Sequence, residues 1–248
     1  MKAMIFAAGL GTRLQPITDS IPKALVRVGG KPALQHVIEH VKLLGIKDII
    51  VNVHHFPEQI CQFLEENEQF GVNIAISDES SLLLDTGGGL LKALPLLGDD
   101  QPVLLHNADV WTDAPLDKMI QAHLASESDA TLLAWDRPTS RKLLFDACGV
   151  MQGWVNLFTG ETRPDNCDLS QFNALGFGGI HIINPSLFQA LKEYGQKKGD
   201  VFSMTPFYIE VCRSALIRYF TPSQQVHWFD IGRSESLNMA SEYVRSLK

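Results

Sequence analysis

Hydrophobic positions along the chain alternate between two periods. Ala3–Ala7 is a short continuous apolar run, the pattern of a strand buried on both faces. After Pro32, apolar residues recur at Leu34, Val37, Ile38, Val41 and Leu44, the spacing of one helix face, and Gly45 stops the run. Asp48–Val53 reads as a second buried strand, Pro57–Glu66 as a helix and Val72–Ser77 as a strand. Leu90–Leu94 reads as a short helix after a glycine turn, and Val103–His106, Leu116–Leu124 and Ala130–Trp135 as strand, helix and strand. This order predicts an α/β fold, a doubly wound, mostly parallel sheet with helices on both faces. Such sheets bind ligands beyond the carboxyl ends of their strands.

From about Asp136 to Gln171 the alternation breaks down into short apolar runs among Arg, Asp, Gly, Asn and Thr, which reads as strands and loops over the mouth of a site. Strand character resumes at Phe177–Ile183, followed by helices at Pro185–Tyr194 and Thr205–Cys212. Ala215–Phe220 and Val226–Phe229 read as strands, and Ser234–Leu247 as a closing helix. No repeat or linker interrupts the chain, so residues 1–248 read as one domain, with a first half over 1–135 and a lobe with closing elements over 136–248.

Composition narrows the partners. With 248 residues, 45% of them hydrophobic, the chain can bury a substantial core. A net charge of −7 argues against a nucleic-acid or membrane-surface binder, which would present a basic face. Cys61, Cys148, Cys167 and Cys212 are widely spaced with no C-x-x-C, as expected of reduced thiols. No apolar run approaches the roughly 18 residues that span a bilayer. Ala3–Leu10 leads straight into a glycine turn and Arg13, which reads as a buried strand rather than a signal peptide. A cytoplasmic location is the expectation.

The first strand ends in AAGLGTRL, a glycine-rich turn of the kind that holds phosphate. A dinucleotide fingerprint would need a third glycine where Leu14 stands and an acidic residue closing the second strand, which instead ends VNVHH. The P-loop pattern G-x-x-x-x-G-K-[ST] is absent. What remains is Gly9 and Gly11, whose bare backbone can approach a phosphate, and Arg13, whose guanidinium matches phosphate oxygens. Lys23, after Pro22, adds a second cation. The competing reading is a tight strand connection with a solvated Arg and Lys.

The full string AAGLGTRLQPIT followed by PKAL resembles the signature of the sugar-1-phosphate nucleotidyltransferases, matching it at Ala7, Ala8, Gly9, Gly11, Thr12, Arg13, Leu14, Pro16, Thr18, Pro22, Lys23 and Leu25. The resemblance covers nearly the whole chain. It implies a Rossmann-like fold with a small inserted sugar-binding lobe, so that 1–135 is the nucleotide-binding half. It also implies transfer of a nucleotide from a nucleoside triphosphate to a sugar 1-phosphate, with magnesium as cofactor. Residues Ala7 to Thr12 would then cradle the nucleotide phosphates. In DTGGGLLKAL, Gly87, Gly88 and Gly89 would let the base lie against bare backbone and bond to its amides, and Asp85 would also bind the nucleotide. HNADVWTD would supply Asn107 to the nucleotide and Asp109 to the metal, and HWFDIG the second metal carboxylate, Asp230. Gly178 and Gly179 would contact the sugar.

The likeness is greatest to small bacterial uridylyltransferases acting on N-acetylmuramate 1-phosphate, with mannose- and heptose-1-phosphate guanylyltransferases close behind. Alcohol-phosphate cytidylyltransferases share the opening motif, and a non-catalytic nucleotide-sugar sensor is the alternative from a different class. Such sensors lose a metal carboxylate or the loop arginine, and this chain keeps Arg13, Lys23, Asp109 and Asp230. Two positions depart from the pattern. Ala108 replaces the glycine common before the first metal aspartate. Glu161-Thr162-Arg163-Pro164 stands where many relatives have Glu-Lys-Pro, whose lysine holds the sugar phosphate, so Arg163 is the expected substitute, with Arg141 and Lys142 as rivals.

The implied reaction requires these residue types. A sugar phosphate oxygen is already nucleophilic at neutral pH, so no Ser, Cys or His nucleophile is needed. Positioning and charge neutralisation carry the catalysis. Magnesium takes one or two carboxylates plus phosphates and water, as Asp109 and Asp230 would allow. Arg13 would neutralise the leaving pyrophosphate, and Lys23 would hold the two reacting phosphates together. His54, His55, His106, His181 and His227 lack metal-binding spacing and read as structural or rim residues. Trp111 and Trp228 flank the two aspartates and fit either site lining or packing.

Overall fold

The computed structural model describes residues 1–247. Strand β1 (Lys2–Phe6) runs into three single 3-10 turns over 12–25 and a short hairpin, β2 (Arg27–Val28) and β3 (Lys31–Pro32). Then follow α1 (Ala33–Leu43), β4 (Asp48–Val53), α2 (Pro57–Glu66), β5 (Asn73–Asp78), α3 (Asp85–Leu97), β6 (Val103–Asn107), β7 (Val110–Thr112), α4 (Leu116–Leu124) and β8 (Ala130–Trp135). The region without periodicity folds as a meander of β9 (Arg141–Phe145), β10 (Met151–Asn156) and β11 (Glu161–Arg163), leading to the long β12 (Asn173–Ile183). The chain closes with α5 (Phe188–Lys198), α6 (Met204–Val211), β13 (Ile217–Phe220), β14 (Trp228–Asp230) and α7 (Ser234–Ser246).

The alternating pattern delivers the parallel core: β4 and β6 flank β1 in parallel, and β5 extends β4. Strand β12 pairs antiparallel with β6, β8 and β9, so the meander joins the same ten-stranded sheet. Because side chains alternate along β1, Ala3 and Ile5 pack with α1, α2 and α4, while Met4 and Phe6 pack with α3, α5 and α6. A third, smaller cluster gathers Leu14, Val28, Ile231, Leu237 and Val244. It clamps the loop after β1 against the end of β14 beneath α7.

Two elements differ from expectation. The late strand forms at Trp228–Asp230 and pairs with β7, not with the main sheet. The glycines of TGGG lie inside α3, which begins at Asp85 rather than at Leu90. Three glycines are poor helix formers, and tertiary packing pins them there. A Cβ on Gly87 would fall 2.4 Å from the Phe202 ring, and one on Gly88 would fall 1.9 Å from the Asp200 carbonyl oxygen.

Candidate active site

The loop after β1 turns sharply at Gly11, which has φ +69°, and a Cβ there would meet Thr18 Cγ2 at 2.7 Å. Thr18 Oγ1 donates to the Gly11 carbonyl at 2.8 Å, tying the loop to its own return. Leu14 is fully buried in the third cluster, which leaves Arg13 exposed beside it. The following turn brings Lys23 back, with its ammonium on Asp109 Oδ2.

Asp109 follows β6, and Asp230 ends β14. Pairing of Asp230 with Val110 and a 2.9 Å bond from Ile231 N–H to the Asp109 carbonyl set the two aspartates side by side, 121 positions apart in sequence. One point in space gathers the charged groups. The position that a Cβ on Gly232 would occupy lies 2.8 Å from each of Arg13 Nη2, Asp230 Oδ1 and Lys23 Nζ. No two of these atoms are therefore more than twice that distance apart, and Asp109 is in contact with the lysine. Asp230 Oδ1 also accepts the Gly232 N–H at 2.9 Å, and Arg13 Nη2 stands 4.0 Å from Asp230 Oδ2.

A cavity of about 340 Å³ opens beside this cradle, lined by Ala7, Ala8, Gly9, Asp85, Asn107 and Asp109 among others. Its wall includes Asn52, Glu79, Leu83 and Thr86, which sequence reasoning missed. Asn52 accepts the Ala7 N–H at 2.7 Å and donates to Glu79 Oε1 at 2.7 Å, while Glu79 Oε2 accepts from Leu84 N–H at 3.1 Å. The available signal was position: polar Asn52 sits in an apolar strand and Glu79 just past the next, both at the carboxyl rim. Across the lobe, the meander and α5–α6 enclose a larger cavity of about 830 Å³.

Several anticipated roles change. The N–H groups of Gly87 and Gly88 are not bare: both donate to the Phe202 carbonyl, at 2.8 and 3.0 Å. These glycines let the 200–204 segment dock on α3, where Ser203 donates to the Asp85 carboxylate and Met204 N–H donates to Thr86 Oγ1 at 3.0 Å. The Ala7 amide is likewise spent on Asn52. Gly178 and Gly179 are not among the residues lining these two cavities, and both are closely packed. A Cβ on Gly178 would fall 2.7 Å from the Trp135 ring, and one on Gly179 would fall 2.9 Å from Asn107 Nδ2. Arg163 borders the larger cavity, but Glu161 and Asp165 each hold it at 2.7 Å. Lys142 pairs with Asp136 at 2.7 Å.

Among the described residues no group of three or more His, Cys, Asp or Glu could hold a metal by itself. Two carboxylates set side by side, Asp109 and Asp230, fit an ion that would complete its shell with phosphate oxygens and water. Trp111 packs against Phe229 and Tyr243, and burial pushes His106 and His181 down to about 3, so both are neutral structural residues. No helix is long and apolar enough to cross a membrane among the described residues.

A parallel strand rim, a glycine-arginine loop and two neighbouring carboxylates are groups suited to holding phosphates. The sequence profile of the Nucleotidyl transferase family matches residues 2–246, and the chain belongs to that family. It is 34% identical over 238 residues to the N-acetylmuramate alpha-1-phosphate uridylyltransferase of Neisseria meningitidis, covering 94% of this chain and 93% of that one. The protein of the same name from Caulobacter vibrioides is 39% identical over 198 residues, 75% of this chain and 76% of the relative. A mannose-1-phosphate guanyltransferase of Yarrowia lipolytica is 29% identical over 258 residues, all of this chain and 65% of that one. Among solved structures, HddC from Yersinia pseudotuberculosis complexed with GMP-PN superposes with a TM-score of 0.75 at 20% identity, covering 98% of this chain and 99% of that one, which shows a shared fold.

Proposed function

We propose that this nucleotidyl transferase moves a uridylyl group from UTP to N-acetylmuramate 1-phosphate in the cytoplasm. The support is the cradle at Gly232, where Arg13, Lys23, Asp109 and Asp230 converge beside the smaller cavity, together with the names and coverage of the relatives. A phosphate oxygen of the sugar 1-phosphate attacks the α-phosphorus in line. The bond from that phosphorus to the oxygen bridging to the β-phosphate breaks, and pyrophosphate leaves with the electron pair. Lys23 holds the two reacting phosphates together, and Arg13 offsets charge on the departing pyrophosphate. Asp109 and Asp230 would hold a magnesium ion, which supplies further neutralisation of phosphate oxygens. The Asn52–Ala7 bond fixes the start of the phosphate loop, and Asn107 faces the nucleotide.

The test is pyrophosphate release from UTP, GTP, CTP and dTTP against a panel of sugar 1-phosphates. UTP with N-acetylmuramate 1-phosphate should give the highest kcat/KM. Equal or better turnover of GTP with mannose or heptose 1-phosphate would reassign the chain to the guanylyltransferases, and no turnover with any pair would favour a sensor. Arg13→Ala and Lys23→Ala should each fold and lose about 10²-fold or more in turnover.

A further inference from the structure

An acceptor phosphate needs a cation on the lobe side of the cradle; of the four that line the larger cavity, Arg163 and Lys198 are paired with carboxylates and Arg141 is exposed to solvent. Arg163 is held by two carboxylates and Lys198 stands 3.8 Å from Glu210. Arg137, two residues past β8, differs from both. No carboxylate among the described residues lies within ion-pair distance of it, and Asp230 is the one acidic group whose field reaches it. Its guanidinium lies over Trp228, 4.3 Å from the ring centroid, and donates from one Nη to the Phe177 carbonyl at 2.9 Å. Its Nε–H is buried with no acceptor. Burial lowers its pKa from the usual arginine value, and the nearby charge of Asp230 offsets part of that.

This arrangement is costly unless an anion completes it. The stem is wedged against Gly176, where a Cβ would fall 2.6 Å from Arg137 Cγ, so the side chain is held rather than free. Trp228 and Asp230 alternate on β14 and so share a face, which orients the stacked guanidinium toward the metal carboxylate. Arg137 also lines the 830 Å³ cavity. It therefore links the field of Asp230 to a cavity large enough for a sugar.

We propose that Arg137, braced on Trp228, binds the phosphate of the acceptor sugar 1-phosphate, the role that sequence reasoning gave to Arg163. The assignment rests on the sugar-1-phosphate reading above. A guanidinium suits the task because its planar fork can stack and still present donors to phosphate.

The test is steady-state kinetics on the wild type, Arg137→Ala, Arg137→Lys and Arg163→Ala, with UTP and the sugar 1-phosphate that the wild type uses best. Arg137→Ala should lower kcat/KM for the sugar 1-phosphate by about 10²-fold, leave the KM for UTP and the UTP-dependent rise in Tm unchanged, and recover part of the loss on addition of millimolar guanidinium. Arg137→Lys, which keeps the charge but not the stack, should lose less and guards against an alanine variant that fails to fold. Arg163→Ala should behave as wild type. The proposal is overturned if Arg137→Ala keeps parental sugar-phosphate kinetics, if both Arg137 variants lose UTP stabilisation as well, or if Arg163→Ala carries the loss. A wild type inactive on every sugar 1-phosphate overturns the functional reading and the assignment with it, a result distinct from activity that ignores Arg137.

Discussion

Gly232→Ala isolates the charged cradle in one methyl group. Gly232 is buried and is not among the residues with positive φ, so alanine meets no backbone strain there. Its Cβ would arrive 2.8 Å from Arg13 Nη2, Asp230 Oδ1 and Lys23 Nζ, where ordinary contact begins at 3.4 Å. Each group must retreat by about 0.6 Å at least. Two of the three end long flexible stems, so the fold can yield, and replacing glycine removes unfolded-state freedom worth about 0.4–1 kcal/mol. Stability should therefore stay within roughly 1 kcal/mol of parental. Turnover should not survive so well. Misplacement on the order of 1 Å costs about 10²-fold, or roughly 2.7 kcal/mol of barrier. Pyrophosphate release read beside a thermal melt separates the two effects. Gly29→Ala is the contrast: with φ +59° and Val244 Cγ1 at 2.4 Å from the new Cβ, it should lower Tm while the cradle stays intact. Near-parental turnover of Gly232→Ala would refute the view that the placing of Arg13, Lys23 and Asp230 around this point matters to the reaction.

Magnesium with UTP should stabilise the protein by about 2.7 kcal/mol at a hundredfold excess over Kd, and Asp109→Asn or Asp230→Asn should abolish both turnover and that shift, as read by thermal melts with and without magnesium. Asn52→Ala leaves the Ala7 N–H and one Glu79 oxygen without their partner beneath the nucleotide cavity, and should cost about 2–4 kcal/mol in denaturant unfolding; a loss under 0.5 kcal/mol would show the network to be incidental. Burial holds His106 and His181 neutral down to about 3, whereas unfolded histidines take up protons near 6.5. The unfolded state then binds more protons between these values, so stability is full above about pH 6.5 and falls as pH drops toward 3, by up to about 1.4 kcal/mol per unit for each histidine; a flat Tm between pH 7 and 5 would contradict this.

Much of the fold was legible because β1, β4, β6 and β8 are short apolar runs between helical patterns, and local periodicity suffices to name such elements. The turn after β1 was legible too, since Gly11 adopts a backbone that its own residue type permits. The glycines of TGGG misled because their sequence reads as a turn, whereas contact with Phe202 and Asp200, over a hundred residues away, makes them the start of α3. The ion pairs of Arg163 were not legible either, because Glu161 and Asp165 come within reach of it only once β11 forms.

The sequence by itself determined the alternating α/β architecture, the turn that follows the first strand and the four charged residues suited to phosphate chemistry. Only the tertiary structure decided how they meet. The cradle exists because β14 pairs with β7, and because Leu14 and Ile231 share one apolar cluster under α7, bringing Arg13 to Asp230 from opposite ends of the chain. Periodicity and propensity act over a few neighbouring residues, whereas burial of side chains from distant segments sets which charges face one another and which, like Arg137, are left without an ion-pair partner among the described residues.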